Sequence, residues 1–423
     1  MNVLIVNTSE SNGGAAMAAN RLKEALNNND VRAMMLVKDK QSDDPTVKQL
    51  PNYWRRVWNF LWERWRIFVC LHFRKEHLWD VDVGFCGTDI TRLPEFLSAD
   101  IIHLSWINQG MLSLRDVKRI LDSGKPVVWI MHDIWPATGI CHLAMDCSRY
   151  TVECSSCPYL PHRNRGIRDL STRIFNRKKE IYRRGSLTFV ACSEWLAAQA
   201  GKSALLSGRR VLNIPNPIDT SVFKKTSKDV ARKQLSLPTD KRLILFVAQK
   251  TTNINKGMRF LVEACKILIA QKPSYRTNAA VVILGSNASE FAQEFEMPVF
   301  PMGYIGDAAT IVGIYNACDV FVLPSLSENL PNTIMEAMAC GVPCLGFDVG
   351  GIPEEIDHRI NGYVAKTRDS EDLARGLSWI LDNEDYASLS AAAIKKATSC
   401  YSPRSVAEKY INLYKSLIDN TQK

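Results

Sequence analysis

No apolar run in the chain approaches the ~18 residues that a membrane-crossing helix needs. The longest apolar stretches, such as PVVWIM and DVFVLP, are strand-sized. There is no short-period repeat and no low-complexity tract, which excludes a repeat array. No charged leader or cleavage pattern precedes MNVLIVNTSE, which reads directly as a first strand, so a cytosolic protein is expected. No G-x-G-x-x-G follows that strand, so a nicotinamide-binding fold is poorly supported. Nor is there a recognition helix, a zinc finger of usual spacing or an RNA-binding aromatic motif. A basic nucleic-acid-binding module is therefore disfavoured despite the net charge of +9.

What is present is an ordinary globular composition, 46% hydrophobic and 23% charged, in 423 residues. That length suits two domains of roughly 200 residues each. The charge is uneven: nine Lys or Arg lie between His162 and Arg184, against Asp169 and Glu180. Such an excess favours anionic partners, with a solvated basic helix face as the plainer alternative.

Short apolar segments alternate with helical patterns, the signature of parallel α/β architecture. NVLIVN, VRAMMLV, DIIHLSW, PVVWIMHD, LTFVACS and RVLNIPN read as strands of a first half. RLILFVA, AAVVILG, DVFVLPS and VPCLGF repeat the plan. Helices are expected over Ala15–Leu26, Leu112–Ser123, Gly257–Ala270, Pro331–Cys340 and Pro403–Ile418. NIPNPIDTSVF joins the halves, giving domains 1–214 and 215–402. Two doubly wound, Rossmann-like halves put the carboxyl ends of two sheets across a central cleft, where ligands usually bind. Each half offers a phosphate-type loop. Gly13-Gly14 precedes a helix after the first strand, and Lys256 precedes Gly257 where another helix opens.

PSLSENLPNTIMEAMACGVP places Glu328 in a loop at a strand's carboxyl end and Glu336 inside the following helix. Pro331 suits that helix's first turn and Gly341 its C-terminus. A carboxylate beside the outward amides of Asn329 and Leu330 suits a ligand rich in hydroxyls and phosphate. The plainer alternative makes Glu328 a cap and Glu336 half of an ion pair.

PSLSENLPNTIMEAMACGVPCLGFDVGGIPEEI, followed by NGYVA, closely resembles the retaining family-4 glycosyltransferases of GT-B architecture, of the bacterial surface-polysaccharide type. GGAAMAANRL, WIMHDIWPATG, IPNPIDTSVF and NKGMRFLVEA fall in the order the family shows, so the resemblance covers nearly the whole chain. It implies transfer from a nucleoside-diphosphate sugar to a glycan or lipid-linked acceptor in polysaccharide biosynthesis. No cofactor and no metal would be needed for catalysis. Glu328 would contact donor-sugar hydroxyls beside the Asn329–Leu330 amides, and Glu336 the ribose. Lys256 would neutralise the diphosphate, helped by Gly13-Gly14, and His132 of MHD would face the sugar. Tyr304 and Ile305 would lie near the base, and the helix over 403–420 would pack back on the first domain. One departure stands out: Gln249 occupies the place of the family's usual arginine, with Lys250 as a substitute diphosphate ligand. The Asp80-Val81-Asp82 triplet imitates a metal-binding D-x-D but lies outside the implied site.

Two further features are unabsorbed. Cys141, Cys147, Cys154 and Cys157 have the makings of a structural zinc site, with free thiols and disulfides as the other uses. NYWRRVWNFLWERWRIFVCLHF sets Trp54, Trp58, Trp62 and Trp65 at helical spacing among arginines. That pattern suits either a membrane interface or a core-packed aromatic stripe. Residues 54–73 with 162–184 thus form a candidate peripheral contact at the inner face of the cell membrane. A nucleotide-sugar epimerase or phosphorylase, and a donor-binding homologue without turnover, complete the alternatives.

Overall fold

The computed structural model describes residues 1–161, 166 and 168–421. The chain divides into two compact units, Met1–Asn216 with Val406–Lys423, and Pro217–Ser405. The first is built on seven strands: β1 (Asn2–Ser9), β2 (Arg32–Asp39), β3 (Val47–Gln49), β4 (Ile101–Leu104), β5 (Val127–Met131), β6 (Leu187–Ala191) and β7 (Val211–Asn213). They run parallel in the order β3-β2-β1-β4-β5-β6-β7. The second holds β8 (Arg242–Lys250), β9 (Ala279–Ser286), β10 (Val299–Gly303), β11 (Val320–Leu323), β12 (Cys344–Phe347) and β13 (Gly362–Ala365). Their order is β10-β9-β8-β11-β12-β13, again all parallel. Strands β4, β5, β11 and β12 are buried along their whole length, as sheets covered on both faces require.

The helices that matter here are α1 (Gly14–Asn27), α2 (Tyr53–Cys70), α3 (Leu114–Asp122), α4 (Leu170–Tyr182), α5 (Met258–Gln271), α6 (Ala308–Ala317), α7 (Asn332–Ala339), α8 (Ile352–Glu355) and α9 (Pro403–Thr421). The α3 helix starts two residues later than the apolar spacing suggests. Ser113 caps it by accepting from the Asp116 amide, and the Asp116 side chain accepts from Ser113 in return. The α7 helix likewise begins after Pro331, whose ψ of 112° leaves it at the cap rather than in the first turn. Three strands escaped the periodicity reading. β3 and β13 are three and four residues long, and β10 is a partly exposed edge strand containing Pro301.

In the first unit, α9 covers β4. His103 Nδ1 lies 2.7 Å from the Tyr414 hydroxyl, and the Tyr410 ring meets the same imidazole edge to face. Burial holds the His103 pKa down to about 3, so this contact is made by a neutral ring. Among the described residues no helix is long and apolar enough to cross a membrane.

Candidate functional site at the carboxyl edge of the second sheet

In the second sheet β8 is flanked by β9 and β11, so the chain winds one way to β10 and then crosses to β11. The crevice beyond the carboxyl ends of β8 and β11 is the topological switch point, where open α/β sheets bind ligands. Lys256 and Glu328 meet there. Lys256 closes the short turn Ile254–Lys256 after β8, and its Nζ forms an ion pair with Glu328 Oε1. Ser325 Oγ donates to the same oxygen at 2.9 Å. Neither partner is sealed: the lysine side chain is 30% exposed and the glutamate 13%.

Two glycines fix the loop that carries Glu328. A Cβ on Gly257 (φ 73°) would stand 1.9 Å from the Pro324 carbonyl oxygen. One on Gly350 (φ 60°) would stand 1.8 Å from the Glu328 carbonyl oxygen. Both positions therefore require glycine twice over, for backbone conformation and for space. Leu326 N donates to Asn255 O at 2.8 Å, and Gly351 N to Asn329 O at 2.7 Å. The loop is thus held on both flanks, with Asn329 half-buried and Leu330 buried before α7. Gly341 ends that helix at φ 75°.

Glu336 sits half-buried on α7, and the buried Tyr315 of α6 donates its hydroxyl to Oε2 at 3.0 Å. Sequence reasoning missed Tyr315, whose contact spans twenty-one residues and leaves no local signal. Gln249 and Lys250 are exposed at the end of β8, past a register shift between Val247 and Lys250. Ser286 Oγ holds the Gln249 carbonyl at 2.6 Å. Tyr304 (68% exposed) and Ile305 follow β10 at the same edge of the sheet.

Glu355 also went unnoticed. It ends α8 with no exposed surface, and neither carboxylate oxygen has a hydrogen-bond partner. Burial first, and the nearby Glu328 charge second, push its pKa well above the usual range. The native state then keeps a proton that the unfolded chain releases above pH ~4.5, so stability falls as pH rises toward the folded pKa. Glu355→Gln removes that slope. Its thermal melting point should exceed the wild type's by a margin that widens from pH 5 to pH 8; a constant margin contradicts the buried neutral acid.

Gly13, Gly14 and His132 belong to the first unit. Gly13 (φ 93°) caps α1 beyond β1, and a Cβ there would meet nothing within 4 Å. His132 follows β5, with Nε2 3.1 Å from Ser105 Oγ at the end of β4. It is half-buried by surface, yet desolvation outweighs the neighbouring Asp133 charge and holds its pKa down to about 4. Asp133 accepts from Trp106 Nε1 at 2.9 Å and contacts His142 Nδ1 at 2.7 Å. His142 Nε2 reaches Asp82 at 3.0 Å, and Asp82 is ion-paired to Arg64 of α2. Of the D-x-D look-alike, Asp82 is consumed by this relay, while the exposed Asp80 contacts His77.

Cys141, Cys147, Cys154 and Cys157 line one pocket with Tyr150 and Tyr159. Cys154 Sγ accepts from the Gly139 amide at 3.2 Å, and burial raises the Cys154 pKa to about 12. None of the twelve cysteines is joined in a disulfide. The four sulfurs suit zinc chemically, but among the described residues no three His, Cys, Asp or Glu side chains are set to hold a metal. Of the basic segment, His162, Arg163 and Arg165 lie outside the described residues. Arg173, Arg177, Lys179, Arg183 and Arg184 are exposed on or just after α4. Lys178 instead points inward, donating to the Trp135 and Thr138 carbonyls at 2.6 and 3.1 Å.

Residues 241–383, which carry Lys256, Glu328 and Glu336, match the family of glycosyl transferases group 1. That match covers about a third of the chain, whose fold is that of GT-B glycosyltransferase structures. The fold of the sucrose-phosphate synthase from Thermosynechococcus elongatus superposes with a TM-score of 0.67 at 18% identity, covering 99% of each chain. Anabaena HepE in complex with UDP-glucose gives a TM-score of 0.62 at 17% identity, over 98% of this chain and 100% of HepE. Among curated relatives, the N,N'-diacetylbacillosaminyl-diphospho-undecaprenol alpha-1,3-N-acetylgalactosaminyltransferase of Campylobacter jejuni is 29% identical over 189 residues. That match covers 44% of this chain and 48% of the relative. The chain spans about half the length of the curated relatives it matches. The matching segment lies within the second unit, where the Lys256–Glu328 pair stands.

Proposed function

We propose that the chain is a retaining family-4 glycosyltransferase that moves a sugar from a nucleoside-diphosphate donor to a glycan or lipid-linked glycan acceptor. The observation that carries this reading is the Lys256–Glu328 ion pair at the switch point of a group 1 domain. Without donor, each of these charges is the other's counter-ion. A donor diphosphate would take up the ammonium, joined by Lys250, leaving the Glu328 carboxylate to accept from sugar hydroxyls. Glu336 would accept from the ribose, and the Asn329–Leu330 amides and Gly13-Gly14 would face phosphate. Tyr304 and Ile305 would border the base, and neutral His132 the sugar. Negative charge growing on the leaving diphosphate is met by Lys256 and by amides, with no divalent cation in the scheme. Retention follows in this reading from same-face attack, the departing phosphate accepting the acceptor's proton. Support for a nucleotide-sugar donor comes from the UDP-glucose bound by HepE, and for a lipid-linked acceptor from the name of the Campylobacter relative.

A thermal-shift panel of UDP, GDP, ADP and their sugar conjugates tests the reading. One nucleotide class should stand out, adding about 2.7 kcal/mol at 100 times its Kd. Glu336→Ala should weaken that nucleotide about tenfold, the loss of roughly one charge-assisted hydrogen bond. A flat panel on folded protein overturns the assignment. A second reading rests on Gln249, which lacks the bidentate contacts of an arginine. Selective nucleotide binding without turnover on any acceptor would mark a donor-binding homologue.

A further inference from the structure

We propose that the outward face of α2 and the turn after it form a membrane-interface surface that seats the first unit on an anionic bilayer. A surface helix normally turns its apolar stripe to the core and its charges to water. This one is inverted. The residues it buries are Asn59, Glu63, Arg64 and Ile67, three of them polar. They are held by exact partners: Glu63 accepts from the amides of residues 83–86, Arg64 pairs with Asp82, and Asn59 donates to Thr88 Oγ1. What faces water is aromatic, with Trp54 77%, Trp58 63%, Trp65 50% and Phe73 61% exposed. Because the inward partners fix the helix's rotation, those rings cannot be tucked away by turning the helix about its axis.

Charge on the same stretch is of one sign. Between Tyr53 and Lys75 the single acid is the buried Glu63, whereas Arg55, Arg66, Arg74 and Lys75 are exposed. Indole rings with flanking cations, the first exposed acid being Glu76 beyond them, match the interface of a bilayer whose headgroups are negative. A second copy of this chain is a poor match, because its identical patch would bring arginine against arginine. A single-stranded nucleic acid is a poor match as well. Trp58 and Trp62 already stack on each other, with centroids 5.8 Å apart and planes 8° off parallel, which removes ring faces that bases would need.

This surface is independent of the donor-site reading, and its test needs no donor. The full chain is mixed with vesicles of phosphatidylcholine alone, or with about 30 mol % phosphatidylglycerol, and bound protein is separated by flotation. Each basic residue near an anionic surface contributes roughly fivefold, so four of them predict preference for the anionic vesicles on the order of several hundred-fold. The preference should collapse at about 0.5 M salt, where screening is strong. Trp54→Ser with Trp58→Ser, and separately Arg66→Glu with Arg74→Glu, should each lower binding at least tenfold without moving the thermal melt, since all four side chains are exposed. Tryptophan emission should shift to the blue on anionic vesicles. Absence of flotation overturns the proposal, as does binding unchanged in both double variants. A concentration-dependent dimer, or capture by oligo-dT in place of vesicles, that is lost in the tryptophan variant overturns it in favour of those occupants.

Discussion

Glu328→Ala is expected to lower sugar transfer by about 10³-fold, some 4 kcal/mol of transition-state stabilisation, while nucleoside diphosphate binds as tightly as before. The asymmetry follows from the ion pair. In the free protein Lys256 is neutralised by Glu328, so a diphosphate must displace a carboxylate to reach the ammonium. Removing the carboxylate frees that ammonium and cannot weaken the phosphate contact. What is lost is the acceptor for sugar hydroxyls. Glu328→Gln keeps the shape and the Ser325 contact but not the charge, and should fall between wild type and alanine. Lys256→Ala should behave oppositely, losing diphosphate affinity and turnover together, because it supplies the cation in both states. Titration calorimetry with free nucleotide, set beside initial rates with donor and acceptor, separates the two. Parallel losses of nucleotide affinity in Glu328→Ala and Glu336→Ala would refute the division of labour.

Glu63→Ala should cost the first unit about 3 kcal/mol, although it touches no part of the donor site. The Glu63 carboxylate receives the amides of Val83, Gly84, Phe85 and Cys86 at 3.3, 2.8, 3.0 and 3.0 Å. Deleting it strands four donors in a buried loop, and the cavity left by a glutamate is too small to hydrate them all. For a unit of roughly 200 residues, that corresponds to a drop of about 6–12 °C in melting temperature. Glu63→Gln retains one acceptor oxygen and should lose about half as much. A shift below 2 °C in the alanine variant would mean that the loop over 83–86 re-forms without its anchor.

The legible parts of the chain were those whose signal is local. Continuous apolar runs announced ten of the thirteen strands among the described residues, and Glu328, Lys256 and Gly257 stood in turns that the strand–helix alternation already marked. Illegible parts depend on what a side chain meets far along the sequence. Nothing near Tyr315 tells that its hydroxyl will bind Glu336, and Glu355 reads as an ordinary surface acid in GGIPEEI until α8 turns it inward. The tryptophan helix was ambiguous for the same reason. Its period fits either orientation, and the choice was made by the amides of 83–86 and by Asp82, which lie some twenty residues away. In the basic segment, Lys178 looks identical to its neighbours in sequence, yet it alone among α4's cations is buried.

The relay from Arg64 through Asp82, His142 and Asp133 to Trp106 ties the aromatic helix to the loop that bears His132. Its two carboxylates and its guanidinium are largely buried, so no link can lengthen without leaving Asp82, Asp133 or Arg64 short of a partner. Helix and loop are thereby tied through side chains: a displacement of the tryptophan face would have to be accommodated at the tip of β5, some seventy residues further along the chain.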